Sequence, residues 1–218
     1  MWNPFKRPPQ PPAIQPMAKL QRITPGTLAA LVGIPVAIAL GVFIPQEESG
    51  RRTEASVNAD GALVVKHIAG KQYLRAYLDA VGVATACDGL TRWKGKPIRI
   101  TDQFAEEECG AMLEVALVEH AGPVMKCTPG IALSDNPAIE KSREGPRFTA
   151  VSLGYNVGTG AYCQSTAARR FNAGNYAGGC DAATWWVRGG KRVLPGLVKR
   201  RTLENNVCLN GLTANFRR

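Results

Sequence analysis

The longest uninterrupted apolar run lies near the amino terminus, where Leu28 to Pro45 reads LAALVGIPVAIALGVFIP, eighteen residues without a charge. A membrane-spanning helix needs roughly 20 apolar residues, so the run is long enough for a short span. Lys6, Arg7, Lys19 and Arg22 precede it with no acidic residue, and Glu47 and Glu48 follow it. That asymmetry puts the tail in the cytoplasm and the rest of the chain on the far side. Ala29, Ala30, Gly33, Pro35, Ala37, Ala39 and Gly41 dilute the run, so the bilayer would hold it weakly. A cleavable signal predicts a shorter core and a small-x-small site, which Ile44-Pro45-Gln46-Glu47 does not offer. A buried core helix is the competing reading of the same residues.

The remaining pattern divides the chain. Residues 1–26 include NPFKRPPQPPAIQP, too proline-rich to fold, and read as an extended tail. Residues 27–45 are the transmembrane or signal-anchor segment, 46–58 a polar linker, and 59–213 a folded domain. Within the domain, the apolar residues from Ala62 to Ala69 predict a short helix broken at Gly70. Gly82, Gly89 and Pro97 among β-branched residues predict a hairpin or small sheet over 76–101. A helix is expected from Thr101-Asp102, with Glu106, Glu107 and Glu108 at its positive end and Met112, Leu113, Ala116 and Leu117 on its apolar face. Further helices follow: one carrying Phe148, Val151 and Tyr155, one capped by Ser165, one from Tyr176 to Gly189-Gly190, and one from Pro195 to Asn210-Gly211. A small β element followed by a run of helices is an α+β arrangement.

Charge and cysteines narrow the partners. The net charge is +10 with the basic residues scattered, and no basic helix stripe, zinc-finger spacing or RNA-binding aromatic signature accompanies it. A nucleic-acid partner is therefore not expected, whereas an anionic wall polymer or membrane surface fits the charge. No Cys-x-x-Cys occurs and His67 and His120 are the only histidines, so no metal site is expected. Six cysteines in an exported chain point to disulfides, with fifteen pairings open. Cys180 and Cys208 flank the last helical pair and form the first candidate bridge, Cys127–Cys163 the second, leaving Cys87 and Cys109.

The stretch AVSLGYNVGTGAYCQSTAARRFNAGNYAGGC (Ala150 to Cys180) carries an Asn-Val-Gly turn, a Ser-Thr helix start and an Asn-Ala-Gly stop. GGKRVLPGLVKRRTLE (Gly189 to Glu204) adds Gly-Gly, Gly-Leu and Arg-Arg-x-x-Glu. In this ordered set the chain resembles the phage-type lysozymes, the endolysin muramidases of glycoside hydrolase family twenty-four. The resemblance implies a lysozyme-like fold, with a small β-hairpin lobe and a larger helical lobe behind one transmembrane helix. It implies cleavage of the β-1,4 bond between N-acetylmuramic acid and N-acetylglucosamine in peptidoglycan, without a cofactor. The alternative is a lysozyme-fold protein without activity that binds peptidoglycan. The apolar run resembles the signal-arrest-release anchors of some phage endolysins. That implies residence in the host inner membrane through residues 27–45, with the domain in the periplasm and subsequent release.

The family's catalytic segment shows Glu-Gly, then Tyr-x-Asp, then a hairpin with Thr. Tyr77-Leu78-Asp79 and Thr85 match, so the resemblance makes Asp79 the carboxylate that orients water and Thr85 the hydroxyl that holds it. Glycoside cleavage also needs an acid to protonate the leaving oxygen. Nine residues before Asp79 stands Gly70, or Ala69 after a one-residue shift, so the general-acid position is vacated. Asp88, where relatives carry an aromatic, apolar or histidine residue, is the candidate replacement, against a simpler reading as a turn residue before Gly89. Arg200, Arg201 and Glu204 are read as structural ion pairs, and Trp185 and Trp186 as core.

Overall fold

The computed structural model describes residues 24–79 and 81–212, so nearly all of the proline-rich tail expected over 1–26 lies outside the described residues. The apolar run forms two helices, α1 (Leu28–Val32) and α2 (Ile34–Ser49). Thr27 caps α1 by accepting from the Ala30 amide, and the chain turns at Gly33, whose φ of 83° is open to a residue without a side chain. Pro35 then occupies the first turn of α2, where its missing N–H costs no hydrogen bond. Leu28, Val32, Val36, Leu40, Phe43 and Ile44 are all buried in the main core, and the Phe43 ring meets Phe148 edge-on at 5.2 Å. Burying six such side chains contributes roughly 9–18 kcal/mol, as much as the net stability of an ordinary domain. The segment expected to span a membrane is therefore part of the domain's core here. Among the described residues no helix is long and apolar enough to cross a membrane.

The features that weaken a span serve as docking points. Pro45 has no N–H for the Gly41 carbonyl one turn earlier, and the Thr53 hydroxyl donates to that carbonyl at 3.0 Å. A Cβ on Gly41 would stand 3.0 Å from that of Ala55, so glycine permits the close approach of helix and strand. At the other break, Arg147 Nη1 donates to the Val32 carbonyl at 2.8 Å. The Arg147 side chain is fully buried and held by Glu140 at 2.7 and 2.9 Å.

Two expectations for the next segment are corrected. Gln46 to Ser49 continue α2 rather than begin a linker, and residues 62–69 are a strand rather than a helix. β1 (Arg52–Val57) and β2 (Leu63–Ala69) pair antiparallel, with Ala55 opposite Val65 and Val57 opposite Leu63. Leu63 and Val65 point inward and Val64, Lys66 and Ile68 outward. This alternation, in β-branched residues, favours the strand. The hairpin packs on α2 and on α3 (Glu106–Cys127).

The small β elements expected over 76–101 are present: β3 (Tyr77–Leu78) pairs with β4 (Ala84–Thr85), and β5 (Arg92–Trp93) with β6 (Lys96–Pro97). α3 begins at Glu106 rather than at Thr101, because Asp102 closes a preceding turn by accepting from the Arg99 amide at 2.8 Å. The helical lobe continues with α4 (Pro137–Val157), α5 (Thr159–Cys163), α6 (Thr166–Asn172) and α7 (Tyr176–Ala183). Ser165 caps α6 as expected, whereas α7 stops short of Gly189 and gives way to a hairpin, β7 (Arg188–Gly189) and β8 (Arg192–Val193). α8 (Pro195–Asn210) closes the lobe against α4. Trp186 packs on the core, but Trp185 is exposed, with the Arg170 guanidinium 5.2 Å from its ring centre. The three disulfides are Cys87–Cys109, Cys127–Cys163 and Cys180–Cys208.

Candidate active site

Asp79 stands at the turn joining β3 to β4. Its Oδ1 accepts from the Val81 and Val83 amides at 2.9 and 2.8 Å, which fixes the carboxylate at the mouth of the hairpin. Thr85, two residues past Val83 on β4, is buried, and its hydroxyl donates to the Val83 carbonyl at 3.1 Å. That bond uses the Thr85 proton and leaves its oxygen free to accept. The sequence thus brings Asp79 and Thr85 onto one small hairpin.

Asp88 does not have the freedom a proton donor needs. Its carboxylate is wholly buried, and Arg51 grips both oxygens, Nε to Oδ1 at 2.9 Å and Nη2 to Oδ2. The Ser49 hydroxyl lies 2.9 Å from Oδ1 as well. A carboxylate enclosed this way has no edge left for a sugar oxygen, which corrects its assignment as the replacement acid.

Neither residue at the vacated position is idle. Ala69 pairs with Arg52 at the open end of the β1–β2 hairpin. Gly70, with a φ of 92°, is packed so closely that a Cβ there would lie 2.8 Å from the Gly50 carbonyl oxygen. The two ends of the hairpin therefore meet at Gly50 and Gly70. Residues 51–69 are an excursion, and the carboxylate immediately before it is Glu48, in the last turn of α2.

Glu48 Oε1 accepts from Arg200 Nη1 at 2.6 Å. Arg200 also reaches Glu204 Oε1 at 3.2 Å, while Ser152 donates to that same oxygen at 2.6 Å and Arg201 lies 3.0 Å from Oε2. The ion pairs expected among Arg200, Arg201 and Glu204 are present, and all three residues are buried. Burial lowers the proton affinity of the Arg200 guanidinium, but Glu204 and Glu48 more than reverse this, raising it above its ordinary value. Gln46, Glu48, Asn156, Leu197 and Arg200 line an open cleft of about 360 Å³.

Two tyrosines report how the acidic groups lie. Burial pushes the Tyr155 phenol up, and the nearby charges of Glu48 and Asp88 push it further. Tyr77 is raised by burial, then by Tyr73, Asp79 and Asp88. Asp88 is thus within electrostatic reach of both tyrosines, one beside Glu48 and the other beside Asp79. The sequence treated Glu48 only as a flanking charge of the apolar run. Its available signal was Glu48-Ser49-Gly50, an acid and a glycine separated from Tyr77-Leu78-Asp79 by one hairpin. Among the described residues no group of His, Cys, Asp and Glu could hold a metal ion.

A helix with Glu48 in its last turn, a small hairpin carrying Asp79 and Thr85, and a helical lobe closed by α8 define a lysozyme-like molecule. The family model for phage lysozyme matches residues 69–204, and the chain belongs to that family. It is 34% identical over 157 residues to a SAR-endolysin of Enterobacteria phage PA-2, covering 72% of this chain and 87% of the relative. It is also 34% identical over 158 residues to a SAR-endolysin of Enterobacteria phage P21, with the same coverage. A crystal structure of a P22 lysozyme mutant shares the fold, with a TM-score of 0.54 and 22% identity over 78% of this chain and 94% of that one. The chain is thus a phage endolysin of the lysozyme type, in a family of peptidoglycan-degrading hydrolases.

Proposed function

We propose that this endolysin is an active muramidase, cleaving the β-1,4 bond between N-acetylmuramic acid and N-acetylglucosamine, with Glu48 as its general acid. The observation that supports this is the meeting of the β1–β2 hairpin ends at Gly50 and Gly70. That closure brings the end of α2 beside the position from which the family's glutamate is missing. Glu48 donates its proton to the leaving glycosidic oxygen as the bond to the anomeric carbon breaks. Water supplies the new bond to that carbon, Asp79 takes the proton the water loses, and Thr85 holds the water in place. Arg200 orients the Glu48 carboxyl. With a water between carboxylate and sugar, the product inverts its configuration.

The test is release of reducing sugar from purified peptidoglycan by the full chain and its variants. General acid catalysis contributes about 10²–10⁴-fold, so Glu48→Gln should lower kcat by that factor with its melting temperature little changed. Asp79→Asn should lower it comparably. Undiminished turnover in Glu48→Gln, or no turnover in the unaltered chain, would overturn the reading.

The same reading has two locations for residues 27–45. In the first the run lies in the inner membrane, with the domain held in the periplasm. In the second it has left the bilayer and forms α1 and α2. Its charge-free length, its small residues and the SAR-endolysin relatives support the first location, and the packed core described above supports the second. Because α2 carries Glu48, activity would follow release.

A further inference from the structure

Resting on the assignment of Glu48 above, we propose that Asp88, clasped by Arg51 and Ser49, is a positioning residue. It sets the placement of Glu48 on α2 relative to Asp79 and Thr85 on the β3–β4 hairpin. The clasp connects the residues that follow Glu48 with the loop that follows Thr85. Ser49 directly follows Glu48, and its hydroxyl lies 2.9 Å from both the Pro45 carbonyl of its own helix and Asp88 Oδ1. Arg51, two residues on, presents a fork of two donors to both oxygens of Asp88, with both side chains buried. Such a paired contact fixes direction as well as distance, which a single hydrogen bond does not.

The other half is rigid where Asp88 leaves it. Ala86 and Leu90 exchange two backbone hydrogen bonds of 2.9 Å, closing a tight loop with Asp88 at its centre. Cys87, in the left-handed region at φ 55°, donates its amide to the Tyr73 carbonyl at 2.8 Å and is bonded through sulfur to Cys109 of α3. Thr85 precedes this loop by one residue. The fork and the Ser49 contact thus tie the end of α2 to the loop that follows Thr85.

A buried ion pair is poor evidence for stability, since apolar residues of similar size often replace it without loss. Its geometry is harder to replace, and a misplacement of about 1 Å at a reacting centre can cost on the order of 10²-fold in rate. The experiment compares the full chain with Arg51→Met/Asp88→Leu, Arg51→Lys and Glu48→Gln on two substrates. One is peptidoglycan, whose leaving sugar needs a proton. The other is an aryl glycoside of a muramoyl peptide, whose phenolate leaves without one.

The apolar pair should keep the melting temperature within a few degrees and lose roughly 10–100-fold in kcat on peptidoglycan, with KM unchanged. On the aryl substrate it should lose less than about threefold, as should Glu48→Gln, because neither affects Asp79. Arg51→Lys, which keeps the charge but not the fork, should show the same pattern to a smaller degree and covers the case in which the apolar pair fails to fold. Wild-type kcat on peptidoglycan, or equal losses on both substrates, would overturn the positioning role while leaving Glu48 as the acid. Equal or absent losses for Glu48→Gln itself would overturn the acid assignment, and the positioning role with it.

Discussion

Gly70 shows how one side chain decides between two accounts of the site. By sequence spacing it is the residue that replaced the family's acid, and restoring a glutamate there would be the natural repair. Its φ of 92° and the 2.8 Å approach of a Cβ to the Gly50 carbonyl oxygen make that repair damaging. Gly70→Glu should destabilise the domain by about 2 kcal/mol or more, and it should lower activity rather than raise it. Thermal melts and reducing-sugar release on the same preparation check both halves. Glu140 offers a second case at this scale. Burial alone would raise its carboxyl, but the hydrogen bonds and charge of Arg147, with help from Ser134 and Arg143, bring it below the ordinary value. A group lowered in the folded state contributes stability above its unfolded pKa, and that stability is lost as pH falls through the lower folded value. Glu140→Gln should therefore melt earlier at neutral pH, by about 1 kcal/mol since Glu140 is partly exposed, and the gap should close as pH falls below about 4. Paired melting curves from pH 3 to pH 7 would show it; a gap that is constant with pH would refute the account.

Among the elements, the β1–β2 hairpin is the one that sequence reasoning misread most. Residues 46–58 read as linker because they are polar, and 62–69 as helix because they are apolar, but both strands are half-buried with only one face on α2 and α3. Alternation over six or seven residues is a weak signal when the exposed positions include Val64 and Ile68. Longer elements were more legible. The cap at Ser165 and the start of α8 at Pro195 follow from local chemistry that does not depend on tertiary context. The Cys180–Cys208 bridge was likewise anticipated, from cysteines flanking the last helical pair, with Cys127–Cys163 as the second candidate. Cys180–Cys208 ties α7 to α8, the helix that carries Arg200. Cys180→Ala/Cys208→Ala should lower stability by about 2–4 kcal/mol, seen as an earlier urea midpoint with an unchanged slope. A midpoint within error of the unaltered chain would leave the bridge without a stabilising role.

For the molecule as a whole, the apolar run is the decisive region. In the bilayer it would deprive the domain of Leu28, Val36, Leu40, Phe43 and their neighbours, of the Val32 carbonyl that accepts from Arg147, and of Glu48. On the proposed assignment of Glu48, a tethered domain would thus lack both core and acid, and release would supply both at once. We expect uncleaved protein in the membrane fraction before treatment with an uncoupler and partly in the soluble periplasmic fraction after it. Pro35→Leu is the informative variant, because Pro35 is exposed in the first turn of α2 and an added leucine favours insertion by about 0.5 kcal/mol. It should delay release with little effect on the folded domain. Gly33 and Gly41 are unsuitable, since side chains there strain the turn or strike Ala55 and Leu63. Protein that stays wholly in the membrane pellet under both conditions would mark a permanent anchor.

The sequence by itself determined the family, the α+β class, the caps and starts of most later helices, and the small hairpin that carries Asp79 and Thr85. Those features rest on contacts a few residues apart or on motifs long enough to be specific. Tertiary structure alone decided where the apolar run lies, because apolar character is compatible with a bilayer and with a protein core alike. It also decided the surroundings of the carboxylates, enclosing Asp88 between Arg51 and Ser49 and leaving Glu48 on an open cleft beside Arg200. The closure of Gly50 on Gly70 and the Arg51–Asp88 fork join residues distant along the chain, which no local pattern announces.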